Sequence, residues 1–367
     1  MGKRKCFIAI GHLRFGGIQK SLLTFLEYIL PFAEVDLLVW DNVGELRVPD
    51  GVNVLNVPTV KSVKYCVKKH GLFSKNTFYS IIGCFNSKRW KVLPKIKKHY
   101  DLAISYTNGG YCKYFIIDKV NADKKYTFFH NGAYVDSGKF ASWDKEYYPK
   151  FDKVFAVSDH IKDVLINELG DSGNFDVLPN LINIEGIKEQ SKETCEYMDD
   201  YNGLKILSVG RLSPEKNPFM IVEVAKELLE KNIDFKWYVV GAGDLLEQMQ
   251  TLVKQNALEE NVVLCGGQLN PYKFMSRCDI YAQFSHYEAD PITAKEVSIF
   301  NKKMFLSDID AYRKCEQLLQ NIFICCANAK DIANKIAENI SLDVKENGDL
   351  SFINEKPASK IKEIFSI

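Results

Sequence analysis

The 367-residue chain balances 48 Lys and Arg against 47 Asp and Glu, and 46% of it is hydrophobic. That composition excludes a disordered, collagen-like or disulfide-scaffold chain and suggests two globular domains of ordinary size. The balance hides a split: residues 1–150 hold 24 Lys and Arg against 12 Asp and Glu, a net +12, while 151–367 hold the other 24 against 35, a net −11, which suggests two domains with different partners.

The start, M-G-K-R-K-C-F-I-A-I-G, has an apolar run about one strand long, too short for a signal peptide or a membrane span. Cys6 to Ile10 is a buried strand candidate, followed by a glycine loop over 11–17. Ile18, Leu22, Phe25, Leu26 and Ile29 then keep helical spacing. Further strands are expected at 35–40, 52–57, 102–105, 126–130 and 154–157. Residues 61–98 suggest helix broken near Gly71 and Gly83, and hold eleven Lys and Arg with no acid. The acid-rich stretch 183–203 has few apolar positions and is expected to be an interdomain linker. A second series of strands is expected at 205–209, 235–240, 262–265, 279–284, 303–306 and 322–325, and an amphipathic helix over 356–367. Strand and helix alternate almost throughout, which argues for α/β domains with parallel sheets. The expected division is 1–182, linker 183–203, 204–350 and a terminal segment 351–367. The ten cysteines show no C-x-x-C pair and no zinc spacing, and suggest reduced thiols in the cytoplasm.

Chemistry concentrates in a few places. In E-A-D-P-I-T-A-K-E, Glu288 falls in a loop after a strand and Glu296 on the following helix, with Pro291 at its first turn. Carboxylates at such a sheet edge suit the hydroxyls of a polyol, and a helix N-terminus between them suits a phosphate. Polyol plus phosphate describes a nucleotide sugar; the alternative is a capping acid and a surface acid. In G-R-L-S-P-E-K-N-P, Arg211 and Lys216 follow the strand and Gly210, where they can pair with a diphosphate or simply be solvated. The run F-G-G-I-Q-K-S carries Gly16 and Gly17, which let backbone approach a ligand or form a tight turn; it is neither a Walker A loop nor G-x-G-x-x-G. Gly241-Ala242-Gly243 has the same ambiguity. His130 ends a strand in F-F-H-N-G, either facing a cleft for proton transfer or satisfied locally. Asp308-Ile309-Asp310 spells D-x-D but suggests a loop and helix cap. Lys61, Lys64 and Lys68, and Lys88, Lys91, Lys95 and Lys98, recur at helical spacing with Trp90, Leu93 and Ile96 between them. That pattern suits an anionic membrane surface, with a solvated face or RNA as alternatives.

The order and spacing of Gly16-Gly17, His130, Val157-Ser158, Leu178-Pro179-Asn180, the Gly210-to-Asn217 run, Gly241-Ala242-Gly243 and the Glu288–Glu296 pair resemble a family-four retaining glycosyltransferase of the GT-B fold (glycosyl transferases group 1), over nearly the whole chain and most strongly over 204–308. The resemblance implies two Rossmann-like domains facing a cleft. The first would bind the acceptor, the second the nucleotide sugar, and the last helix would return to the first. It implies that Glu296 binds the donor ribose, that Glu288 holds the donor sugar, and that Arg211 and Lys216 neutralise the leaving diphosphate. Backbone near Ile292 and Thr293 and the Gly16-Gly17 loop would add phosphate contacts, and His130 would lie near sugar and acceptor. Where the family usually has Gly after the first Glu, this chain has Ala289, and Asp290 adds an acid that could accept a further hydroxyl or repel an acidic sugar. The expected donor is a UDP-sugar and no metal or other cofactor is required. The expected acceptor is a saccharide, lipid-linked, in capsule, exopolysaccharide or O-antigen assembly, met by a cytoplasmic protein peripheral at the inner face of the plasma membrane; no nucleic acid is expected. The rivals are a nucleotide-sugar 2-epimerase and a non-catalytic saccharide or nucleic-acid binder.

Overall fold

A computed structural model describes residues 2–14, 16–41, 46–56, 89–134, 139–198 and 200–366. The chain divides into two compact units, residues 1–181 with 356–367, and residues 182–355.

The first unit is built on a seven-stranded parallel sheet of order β3-β2-β1-β4-β5-β6-β7. Its strands are β1 (Arg4–Ile10), β2 (Ala33–Val39), β3 (Val52–Asn56), β4 (His99–Ser105), β5 (Asn121–Phe129), β6 (Lys153–Ala156) and β7 (Phe175–Val177). Parallel strands covered on both faces need continuous apolar runs, and Cys6 through Ile10 are fully buried. Helix α1 (Gly17–Ile29) lays Leu22, Phe25, Leu26 and Ile29 on this sheet. Helix α2 (Arg89–Val92) is a single turn, and α3 (Cys112–Lys119), α4 (Lys139–Tyr147) and α5 (Asp159–Leu169) complete the layers.

Asp36 is a buried acid in β2. Lys98 Nζ and Tyr100 OH donate to its Oδ2 at 2.8 and 2.7 Å, and Asn53 Nδ2 to its Oδ1 at 2.7 Å. Burial pushes this carboxyl up, but the donors from Lys98, Tyr100 and Asn53 and the Lys98 charge outweigh burial and hold it below the usual value. A carboxyl lowered on folding stabilises the protein above its unfolded value, and that contribution is lost as pH falls through the folded one. Acid melts of the wild type are therefore expected to show a loss of stability below about pH 4 that is smaller in Asp36→Asn.

The second unit carries a six-stranded parallel sheet of order β10-β9-β8-β11-β12-β13. Its strands are β8 (Leu204–Val209), β9 (Phe235–Val240), β10 (Val262–Gly266), β11 (Ile280–Gln283), β12 (Lys303–Ser307) and β13 (Ile322–Cys325). Around it lie α6 (Ile184–Gln190), α7 (Phe219–Glu230), α8 (Leu246–Gln255), α9 (Tyr272–Arg277), α10 (Ile292–Ser298), α11 (Asp310–Glu316) and α12 (Ala329–Asn339). Trp237, fully buried in β9, anchors the core and donates from Nε1 to Ser208 Oγ at 3.0 Å.

Two expectations are corrected here. The stretch 183–203, expected as a linker, carries α6 and buries Ile187, Cys195 and Met198 against Tyr238 and Tyr281. Its backbone is tied to α9 and the loop before it, with Gln190 O accepting from Asn270 Nδ2 at 2.7 Å and Ser191 O from Arg277 Nη1 at 3.2 Å. Three apolar side chains spaced among acids suffice to dock it, and they were too sparse to register as a pattern. The helix expected up to residue 98 stops at Val92. Pro94 disfavours helical backbone at Leu93, and residues 93–98 lead into β4. Lys95 and Lys98 therefore do not continue the row begun by Lys91, and Lys98 pairs with Asp36 at 2.8 Å. Trp90 is not a membrane anchor either: it is fully buried, stacked on Tyr111 at 5.4 Å, and donates to Asp118 Oδ2 at 2.8 Å. Lys61, Lys64, Lys68 and Lys88 lie outside the described residues.

The last helix, α13 (Phe352–Phe365), begins in the second unit, and its residues from Lys356 on belong to the first. There Ile361 and Phe365 are buried, Phe365 meets Phe32 at 5.4 Å, and Lys360 Nζ pairs with Asp176 Oδ2 at 2.8 Å. Among the described residues no helix is long and apolar enough to cross a membrane.

Candidate active site

Strands β8 and β11 are neighbours where the second sheet's order reverses, β9 and β10 lying to one side and β12 and β13 to the other. Loops leaving the carboxyl ends of such a pair diverge and leave a crevice, where open α/β sheets bind ligands. The loop after β8 carries Gly210 to Pro218, and the loop after β11 carries Ser285 to Pro291. The His286 N–H donates to Glu215 O at 2.9 Å and ties the two together.

The β8 loop is fixed against its other neighbour. Gly210 N–H donates to Val240 O and Leu212 N–H to Ala242 O, both at 3.0 Å. A Cβ on Gly241 would stand 1.8 Å from the Gly210 carbonyl oxygen, and one on Gly243 would stand 2.2 Å from that of Leu212. The glycines of G-A-G thus serve a crossing of two backbones, which resolves the ambiguity left by their sequence. A 3-10 turn, Pro214–Lys216, ends at Asn217 in the left-handed conformation and turns Lys216 back across the sheet edge. Its Nζ reaches both oxygens of Glu288, Oε1 at 2.6 Å and Oε2 at 2.7 Å. Arg211 is exposed, with its guanidinium 3.9 Å from Glu215.

Glu288 stands in the β11 loop with its side chain 12% exposed. Ser285 Oγ donates to its Oε1 at 2.7 Å and Tyr312 OH at 3.0 Å. Glu296 lies on α10, is 7% exposed, and accepts from Tyr272 OH at 2.8 Å. Tyr281 is buried in β11, and its phenol is pushed far up by burial and then by the charges of Glu288 and Glu296. It stays protonated, 3.1 Å from Gln283 Oε1. With Glu288 in the loop after β11, Glu296 on the helix that follows and Lys216 bonded to Glu288, the structure brings the three to one sheet edge, with Arg211 on the same loop as Lys216.

Two finer expectations change. Asp290 is not an open acid beside the site: it is ion-paired with Lys295 one turn into α10, with side chains 6% and 17% exposed. The Ile292 N–H donates to Asp290 O at 2.8 Å, so that amide is committed within the loop. Pro291 precedes α10, and Thr293 lies in the first turn, where N–H groups have no acceptor within the helix. Asp308 of the D-x-D string receives a bidentate fork from Arg313, Nε to Oδ1 at 2.5 Å and Nη2 to Oδ2 at 2.6 Å, while Asp310 opens α11. Among the described residues no group of three or more His, Cys, Asp and Glu could hold a metal ion.

Ser285, Tyr312 and Tyr272 were not legible as site residues. A serine and two tyrosines carry no motif, and they reach the glutamates from the β11 loop, α11 and α9.

The first unit has its own sheet-order reversal at β1 and β4. Gly16 and Gly17 stand there, at the start of α1; the Gly16 carbonyl accepts from Lys20 N–H at 3.0 Å, and Phe15 lies outside the described residues. His130 follows β5, its N–H donating to Asn108 Oδ1 at 3.3 Å and its ring against Tyr106 at 4.9 Å. Nearby, Lys113 is buried, pairs with Asp144 at 2.7 Å and donates to Asn108 O at 2.8 Å.

Comparison with known proteins places this geometry. Residues 199–352 match the family model described as Glycosyl transferases group 1. A segment of 142 residues is 32% identical to the N-acetylgalactosamine-N,N'-diacetylbacillosaminyl-diphospho-undecaprenol 4-alpha-N-acetylgalactosaminyltransferase of Campylobacter jejuni, covering 38% of this chain and 37% of that protein. Another of 158 residues is 26% identical to the UDP-Gal:alpha-D-GlcNAc-diphosphoundecaprenol alpha-1,3-galactosyltransferase of Escherichia coli, covering 41% of each. The matched segments thus span well under half of these relatives. The structure of Anabaena HepE in complex with UDP and glucose superimposes with a TM-score of 0.72 over 99% of both chains at 14% identity. The fold is GT-B, as expected.

Proposed function

We propose that this chain, whose residues 199–352 match the family model of the glycosyl transferases group 1, moves a sugar from a UDP-sugar to a hydroxyl of a lipid-linked saccharide with retention of anomeric configuration. The observation that carries the reading is the meeting of Lys216 with Glu288 at the β8–β11 reversal, with Glu296 on the adjoining helix. It supplies acceptors for hydroxyls and a cation for phosphate in one crevice. Glu296 takes the ribose, Glu288 the sugar, and Lys216 and Arg211 the diphosphate.

In the reaction the bond from the anomeric carbon to the diphosphate oxygen breaks, and a bond to the acceptor oxygen forms on the same face. The acceptor proton leaves with the departing UDP. Charge builds on the diphosphate in the transition state, so pre-placed cations there lower the barrier without a metal. Lys216 is held by Glu288 before the donor arrives, and the incoming diphosphate competes for it. His130 and the Gly16-Gly17 loop are the candidates for acceptor and phosphate contacts in the first unit.

The names of the Campylobacter and Escherichia relatives support a diphospho-undecaprenol-linked acceptor. UDP is supported by the Escherichia name and by the Anabaena complex. An acceptor of that kind puts the work at a membrane surface, towards which the net positive first 150 residues would be drawn.

The test is thermal melting against UDP-, GDP-, CDP- and ADP-sugars, with Glu296→Ala alongside. A UDP-sugar at about 100 times its Kd adds about 2.7 kcal/mol, which raises the midpoint by roughly 3 °C or more. The variant is expected to lose that shift. Product formed from donor alone would favour an epimerase, and no shift with any nucleotide sugar at millimolar concentration would remove the donor site.

A further inference from the structure

We propose that Ser285 and Tyr312 are positioning residues that load one oxygen of Glu288, leaving the other to accept a single hydroxyl of the donor sugar; this rests on the donor-site reading above. Oε1 takes donors from Lys216 at 2.6 Å, Ser285 at 2.7 Å and Tyr312 at 3.0 Å. Among the described residues Oε2 takes a donor from Lys216 alone, at 2.7 Å. A carboxylate oxygen has about two lone-pair sites, so Oε1 is filled while Oε2 keeps capacity.

The two hydroxyls come from different elements and are themselves held. Ser285 is 1% exposed; its oxygen accepts from Gln283 Nε2 at 3.2 Å and its carbonyl from Ser307 Oγ at 2.5 Å. Its hydroxyl hydrogen is therefore committed to Glu288. Tyr312 is 2% exposed on α11, and burial followed by the Glu288 charge keeps its phenol protonated and donating. When a diphosphate draws Lys216 away, these two donors still fix the plane of the carboxylate. Glu288 then recognises the sugar through one oxygen in one direction, so it discriminates the configuration of one hydroxyl. A mobile carboxylate could follow either epimer.

Calorimetry with UDP, UDP-glucose and UDP-N-acetylglucosamine on the full-length wild type, Tyr312→Phe and Ser285→Ala tests this. Each variant is expected to bind its best UDP-sugar about tenfold more weakly than the wild type, with UDP affinity held within about twofold. That split is what separates positioning from a general structural role, which weakens both ligands together. Equal loss for UDP and UDP-sugar, or no loss for either, overturns the proposal. Should Tyr312→Phe fail to fold, Ser285→Ala decides by the same ratio. A wild type that binds neither UDP nor a UDP-sugar overturns the donor-site reading itself, and the positioning role with it.

Discussion

Lys216→Ala is expected to lower kcat/KM by roughly two orders of magnitude, about 3 kcal/mol, the scale on which a pre-placed group stabilises developing negative charge. Lys216 is the cation that the 3-10 turn aims across the sheet edge, and its side chain is 25% exposed, dry enough for its charge to act with little screening. The same variant strips Glu288 of its ion-pair partner and leaves Ser285 and Tyr312 to satisfy a largely buried carboxylate. Breaking a partly buried pair from one side should cost about 1–2 kcal/mol of stability. The two effects separate in Lys216→Ala/Glu288→Gln. Removing the orphaned charge should restore the melting midpoint but leave activity low, because the diphosphate still lacks its cation and the donor sugar now lacks its carboxylate. Steady-state kinetics and melts on the three proteins check this, and a single variant with wild-type kcat/KM would show that Lys216 does not meet the leaving group.

Gly241→Ala is expected to be the most damaging single methyl in the second unit. The new Cβ would lie 1.8 Å from the Gly210 carbonyl oxygen and 3.0 Å from its carbon, and both are backbone atoms that cannot turn aside. Relief requires the β8 loop to move, which breaks the Gly210-to-Val240 and Leu212-to-Ala242 hydrogen bonds and displaces Arg211 and Lys216 together. The expected cost is about 2–4 kcal/mol, with donor binding lost even at temperatures where the variant remains folded. Gly267→Ala is the matched control: its Cβ would find only Ala242 Cβ at 3.6 Å, an ordinary contact, and should leave both readouts near wild type. Melting and nucleotide-sugar binding on the pair measure the difference. A Gly241→Ala protein as stable as the control would mean that the crossing of the two loops is looser than its geometry.

The alternation of apolar runs with helical spacing was enough to set the fold class, because parallel strands covered on both faces require unbroken apolar sequence and the helices require one apolar face. Cys6–Ile10 with the α1 stripe, and β8 to β13 with their helices, all followed from that rule. Glu288 in a loop and Glu296 on the next helix were legible because a strand, a proline and a helix leave few other arrangements for nine residues. Elements held by a few scattered contacts were not legible. Residues 183–203 look like a linker by composition, yet Ile187, Cys195 and Met198 dock them. The Lys88-to-Lys98 spacing looks helical until Pro94 intervenes.

Residue types and their spacing were enough for the two α/β units, the strand-end positions of the cations and acids, and the chemistry that those residue types can perform. How they are used follows from packing between distant segments. It engaged Lys216 with Glu288, paired Asp290 with Lys295, spent the Ile292 amide on its own loop, and delivered Ser285, Tyr312 and Tyr272 to the two glutamates. The physical reason is one of range. Hydrophobic periodicity repeats every two or 3.6 residues and is visible within a short window. A hydrogen bond of about 3 Å between residues 24 positions apart, as between Tyr312 and Glu288, leaves no periodic trace and exists only once the sheet has set both chain segments side by side.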